Sequence, residues 1–205
     1  MKRALAYLRP APAHPLRHTI LAVLLLGVLS LVSNISTTAE LSGQADVTWF
    51  FRLLFSKALN TGAVWAGLGV YVGWLWGRAL VGALAAALAS VGALAVHYAL
   101  GNLNGIMEPS IWEENLHWFA ASFLLSAPLG VVGVLARRRD WLGLLCRLVV
   151  PLGAIAEPFV VGMFRWPAGF SFPWPQLYSS YAVGAASIVL GIAGTVLVLT
   201  RWRRN

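Results

Sequence analysis

Six stretches of this chain, near residues 18–38, 57–76, 79–100, 115–136, 142–164 and 178–200, run for about twenty residues each with almost no charge. Apolar runs of that length predict transmembrane helices, so the chain reads as an all-α, polytopic helical bundle of six spans. Charged residues make up 11% of the sequence and hydrophobic ones 59%, with mean hydropathy +0.75. A soluble domain carries about 25% charged residues, so most helical surface here is expected to face lipid. Residues 1–205 then form a single membrane domain whose first partner is the lipid bilayer.

The net charge of +8 is sided, which argues for topology and against nucleic acid. Lys2, Arg3, Arg9, Arg17, Arg78, Arg137, Arg138, Arg139, Arg201, Arg203 and Arg204 all fall on one side of the six spans. Arg52, Lys57 and Arg165 fall on the other, with Glu40, Asp46, Glu108, Glu113 and Glu114. Basic loops stay in the cytoplasm, so both termini are expected there, in a multi-pass protein of the plasma (cytoplasmic) membrane. Trp74, Trp76, Trp141 and Trp202 would mark the inner interface, and Trp49, Trp112, Trp118, Trp166 and Trp174 the outer one. The first apolar run is read as a retained span. Its basic leader is long, and SNISTTAE lacks a small-x-small cleavage site.

Residues 65–98 align without gaps to residues 126–159, pairing Gly69 with Gly130, Arg78 with Arg139, Gly82 with Gly143 and Gly92 with Gly153. Each copy is expected to be helix, short basic turn, helix, which makes this a parallel two-helix repeat. The alignment pairs Val96 with Glu157, setting His97 and Glu157 at similar depth.

Glu157 is the acid within the fifth apolar run, and Pro158 follows it. An ionisable group at membrane depth is costly and calls for a partner or a function. At ~1.5 Å per residue it lies about 24 Å from Trp141 and about 12 Å from Arg165, too deep to reach the surface. Pro158 and Pro151 each lack an N–H, which predicts a kink at Glu157. Glu157, His97 and His117 are therefore the ion- or ligand-pathway candidates. The alternative is a protonated Glu157 hydrogen-bonded to a neighbouring helix, holding the bundle together. Glu113, Glu114 and Arg147 are secondary candidates. Ser110 and Glu113 match a capping box opening the fourth span, and Glu113 and Glu114 precede His117 at helical spacing. Arg147 is placed to snorkel inward. No dense His/Cys spacing supports a metal, and no cofactor motif is present. Cys146 stands alone, so no intramolecular disulfide forms. Residues 165–178, with three prolines, read as an irregular cap or partner-binding loop. Walker, HExxH and GxSxG motifs are missing, which leans away from an enzyme.

LNTGAVWAGLGVYVGWL, ALAVHY, ENLHWFAASFLLSAPLGVVGVLARR and GAIAEPF resemble a group of small polytopic actinobacterial membrane proteins of unknown function. The matching positions are Asn60 to Trp65, His97-Tyr98, Ala127 to Gly130 and Glu157, within residues 57–160. Pro158, where the group has a small residue, is a departure. The resemblance implies a membrane bundle and no activity. Two functions remain open: a small transporter or channel-like protein with a proton- or cation-linked Glu157, or a non-catalytic subunit, immunity or resistance factor, or envelope component. The partners these imply are a second copy of the chain or another membrane protein.

Overall fold

The computed structural model describes residues 13–165 and 173–203. Among them it contains helices and no strand: α1 (Pro15–Asn34), α2 (Thr38–Leu41), α3 (Asp46–Leu59), α4 (Gly62–Trp76), α5 (Ala79–Leu103), α6 (Ile111–Glu114), α7 (Leu116–Leu135), α8 (Trp141–Val160) and α9 (Trp174–Arg203). Five of these, α1, α5, α7, α8 and α9, are long and apolar enough to cross a membrane. At most 33% of any of their apolar windows is buried within the protein. Leu25, Leu88, Val189 and Leu190 are each more than 60% exposed, an outer surface suited to hydrocarbon and not to water.

The stretch expected to form one span over 57–76 is divided. α3 stops at Leu59, and α4 begins at Gly62 and runs 15 residues, about 22 Å against a hydrocarbon core of ~30 Å. Thr61 makes the break. Its hydroxyl donates to the Ala58 carbonyl at 3.0 Å and accepts from the Val64 N–H at 3.3 Å, ending one helix and capping the next.

Two further expectations need correction. Ser110 makes no side-chain cap, and α7 opens at Leu116, after a turn at Asn115. The capping box lies instead at Thr37 and Glu40, opening α2. The last helix starts at Trp174, within the stretch expected to be irregular, because Pro175 occupies its first turn, where a missing N–H costs nothing. The rest of that expected cap, residues 166–172, lies outside the described residues. α8 continues through Pro151 and Pro158 as one helix.

Glycine sets the packing at the centre, where α4, α5 and α7 meet. A Cβ on Gly133 would fall 2.0 Å from the Val70 carbonyl oxygen, and one on Gly73 would fall 1.9 Å from that of Gly130. These helices touch backbone to backbone. Leu26 of α1, Leu68 and Val72 of α4, and Ala86, Ala89 and Ala93 of α5 form the buried cluster beside that contact. The Ser126 hydroxyl donates to Ser90 at 2.7 Å across α5 and α7, in a fully buried bond. The two segments aligned as a repeat are α4–α5 and α7–α8, and they pack differently. α4 lies along α5, whereas α8 turns from α7 to lie along α9.

The helix ends assemble at two poles. At one, the Trp76 indole donates to Thr19, Gly77 is backed by Arg137, and Trp141 packs on Trp202. At the other lie the α3–α4 break and the polar side chains around it.

Candidate functional site

α3 turns its polar face inward, the reverse of a helix in water. Val47, Phe51 and Phe55, spaced by four, are exposed at 62%, 60% and 56%. Arg52, Ser56 and Asn60, also spaced by four, face α1. The Arg52 guanidinium donates to the Glu40 carboxylate at 2.9 Å and to the Ser33 carbonyl at 3.2 Å. The Ser56 hydroxyl donates to the Asn34 side-chain oxygen, and Ser30 donates to that of Asn60 at 3.2 Å. Glu40 is 2% exposed at its side chain. The Thr37 N–H and then the Arg52 charge hold its carboxyl below the ordinary value, against the opposing effect of burial.

A third face of α3 meets α9. Trp174 donates to Asp46 at 3.0 Å and stacks on Phe50. Lys57 spends all three ammonium protons on neutral oxygens: the Gln176 carbonyl at 2.6 Å, Ser179 Oγ at 2.9 Å and Ser180 Oγ at 2.6 Å. A cavity of about 190 Å³ lies against this cluster, lined by Lys57, Asn60, Thr61, Met163, Ser180 and Val183.

Glu157 reaches the break from α8. Its two oxygens accept from the Gly62 N–H at 2.6 Å and the Ala63 N–H at 2.9 Å. These are orphan donors of the first turn of α4, and the positive end of the helix dipole favours a carboxylate there. A Cβ on Gly62 would stand 3.4 Å from Oε1, an ordinary contact, so the carboxylate packs directly on this turn. Glu157 thus caps a half-length helix from a neighbouring one. It is half-buried.

The other candidates lie apart from it. His97 is 6% exposed on α5, its ring edge-on to Tyr98, and its Nδ1 has no hydrogen-bond partner among the described residues. α5 packs on α1, α4 and α7, whereas α8 packs on α4, α7 and α9. His117 is exposed and packs on Trp118. Glu113 and Glu114 are exposed in α6, separated from His117 by the Asn115 turn. No hydrogen bond or ring contact joins Glu157, His97 and His117 among the described residues, and no group of three metal-ligating side chains occurs there.

Arg147 works at the opposite pole. It donates to the Ala136 carbonyl at 2.7 Å and to the Arg138 carbonyl, satisfying oxygens left open at the C-terminal end of α7. Its guanidinium stands 6.0 Å from the Trp202 ring. Cys146 beside it is buried.

Sequence reasoning missed Lys57, Asn60 and the Ser179–Ser180 pair. The available signal was the four-residue spacing of Arg52, Ser56 and Asn60, which places polar groups on one face of an otherwise aromatic helix. Comparison with protein-family models, curated proteins and solved structures found no match to this chain.

Proposed function

We propose that this chain is a small multi-pass transporter or channel-like protein in which the α3–α4 break is the moving part and Glu157 the proton- or cation-linked pin. One observation carries this: a helical stretch interrupted at Asn60–Thr61 whose second half is capped by Thr61 and, from a neighbouring helix, by the Glu157 carboxylate, beside a cavity of about 190 Å³ that Lys57, Asn60 and Ser180 help to line. Interrupted helices inside a membrane line cavities or are covered by protein, and half-helix N-termini at such depth bind anionic groups. Here the anion is intrinsic. Protonating Glu157, or drawing it to a cation, would release the Gly62 and Ala63 N–H groups and free the hinge.

In this proposal α3 and α4 together make the sixth crossing, and the arginine-rich pole is cytoplasmic, with both termini there and the plasma membrane as the location. Residues 65–98 and 126–159 are then diverged copies of one helical pair. The resemblance to the actinobacterial group involves Asn60 to Trp65 and Glu157, the two sides of the same contact.

The test is proton flux into proteoliposomes carrying a pH-sensitive dye, under an imposed potassium diffusion potential. Wild type should accelerate proton entry, and Glu157→Gln should cut it at least about tenfold while inserting and remaining monodisperse. Equal flux in both proteins overturns the transport proposal. The second reading, a non-catalytic membrane subunit, is favoured by both Glu157 oxygens being occupied by backbone donors. On that reading wild type conducts nothing, and Glu157→Gln lowers stability by the loss of one hydrogen bond, about 1 kcal/mol, read as a reduced thermal midpoint.

A further inference from the structure

We propose that the groove between α3, α4, α8 and α9 is a binding site for one acyl chain of an anionic phospholipid, whose headgroup sits at the arginine-rich pole. The groove encloses about 600 Å³ and is walled almost wholly by apolar side chains, among them Phe55, Val64, Val150, Ala154 and Leu190. That is the size of a small-molecule pocket. It opens sideways to the surroundings of the bundle, since Phe55 and Leu190 on its rim are 56% and 70% exposed. A hydrocarbon chain can enter from a bilayer, whereas a polar solute gains nothing there.

The lining along α9 runs from Val183 to Val198, about 22 Å at 1.5 Å per residue. This exceeds one leaflet's half of the ~30 Å hydrocarbon core, enough to hold an acyl chain from the headgroup zone past the midplane. Ala186 on α9 and Ala154 on α8 keep its walls low, while Gly191 and Gly194 let α9 close against Pro151 of α8 at its floor.

Charge selects the headgroup. Arg147 lines the groove at the end where Val198 does, and Arg201 and Arg203 follow on the next turn of α9. Arg138 is close by on the α7–α8 connection, with Asp140 its partner. Trp141 and Trp202 pack together at the same level, as aromatic side chains do beside lipid headgroups. A phosphate lacking a compensating choline fits this end, and each arginine near an anionic headgroup favours it by about fivefold.

The probes are dioleoylphosphatidylglycerol and dioleoylphosphatidylcholine, titrated into detergent-purified protein and counted by native mass spectrometry. Wild type should retain one phosphatidylglycerol at concentrations where phosphatidylcholine retention is at least about fivefold lower. Ala186→Phe fills the groove from an exposed wall position and should abolish retention of both lipids. Ala58→Phe does the same from the opposite wall, in case the first variant does not fold. Arg201→Gln combined with Arg203→Gln should reduce phosphatidylglycerol to the phosphatidylcholine level without emptying the groove. Equal retention of the two lipids by wild type overturns the proposal. So does undiminished phosphatidylglycerol on a monodisperse phenylalanine variant.

Discussion

At the scale of single residues, two carboxylates do opposite things with the same chemistry. Glu157 binds the backbone of another helix, while Glu40 binds its own N-cap and the Arg52 guanidinium. That Glu157 needed a partner was legible, because an acid amid apolar residues is expensive wherever the chain folds. Its partner was not. Backbone N–H groups carry no sequence signature, and histidines draw attention that two glycine-and-alanine amides cannot. Glu40 passed unnoticed for a related reason: next to Ser, Thr and Ala it reads as an ordinary loop acid, and its burial depends on Arg52, twelve residues on. Its pH dependence follows from the direction of its shift. A carboxyl held below its ordinary value of 4.5 stabilises the fold fully above that value, and the contribution is lost as pH falls through the lower folded value. Thermal midpoints of wild type and Glu40→Gln, measured in detergent from pH 7 downward, should differ most at neutral pH and draw together as the pH falls past 4.5 and through the lower folded value. A constant difference across that range would mean that the Glu40 charge contributes nothing.

At the scale of elements, the α1, α5, α7, α8 and α9 boundaries follow from hydropathy to within a few residues, since apolar length is what both lipid and sequence register. The division of residues 57–76 does not follow from it. Hydropathy averages over a window wider than the two-residue break, and Asn60 and Thr61 look like tolerable polar positions in an apolar run. What ends α3 is a local competition: the Thr61 hydroxyl offers Val64 N–H an acceptor that a continuous helix would supply from the backbone. Glu157 then satisfies the next donors. Removing the hydroxyl should therefore weaken α4's start without removing it. Thr61→Ala is expected to lower stability by about 1 kcal/mol, and Thr61→Ser to restore most of it. Combined with Glu157→Gln, the loss should exceed the sum of the single losses, because both groups cap one helix end. Strict additivity in that double-mutant cycle would show that the two caps act independently.

At the scale of the molecule, the broken element decides the topology. α1, α5, α7, α8 and α9 are long and apolar enough for five crossings, and an odd number of crossings would put the two ends of a chain on opposite sides of a membrane. The one-sided arginine distribution expected from six spans would need an even number. α4 resolves the conflict only if α3 and α4 together traverse the bilayer, α4 from the Glu157 contact to the pole where Trp76 bonds Thr19 and α3 over the remaining depth. The exposed phenylalanines of α3 suit that position, since a lipid-facing stripe opposite an inward polar face is stable only where the surroundings are hydrocarbon. Positions at the two poles separate these arrangements. In a Cys146→Ala background, Ser42→Cys and Asn104→Cys should react with an impermeant maleimide applied to intact cells. Arg139→Cys should react only after permeabilisation. Labelling of Ser42→Cys from outside and of Asn104→Cys only after permeabilisation would put α3 and α4 on one side of the membrane, with five crossings and the termini divided. Labelling of both from outside leaves α3–α4 as a crossing element.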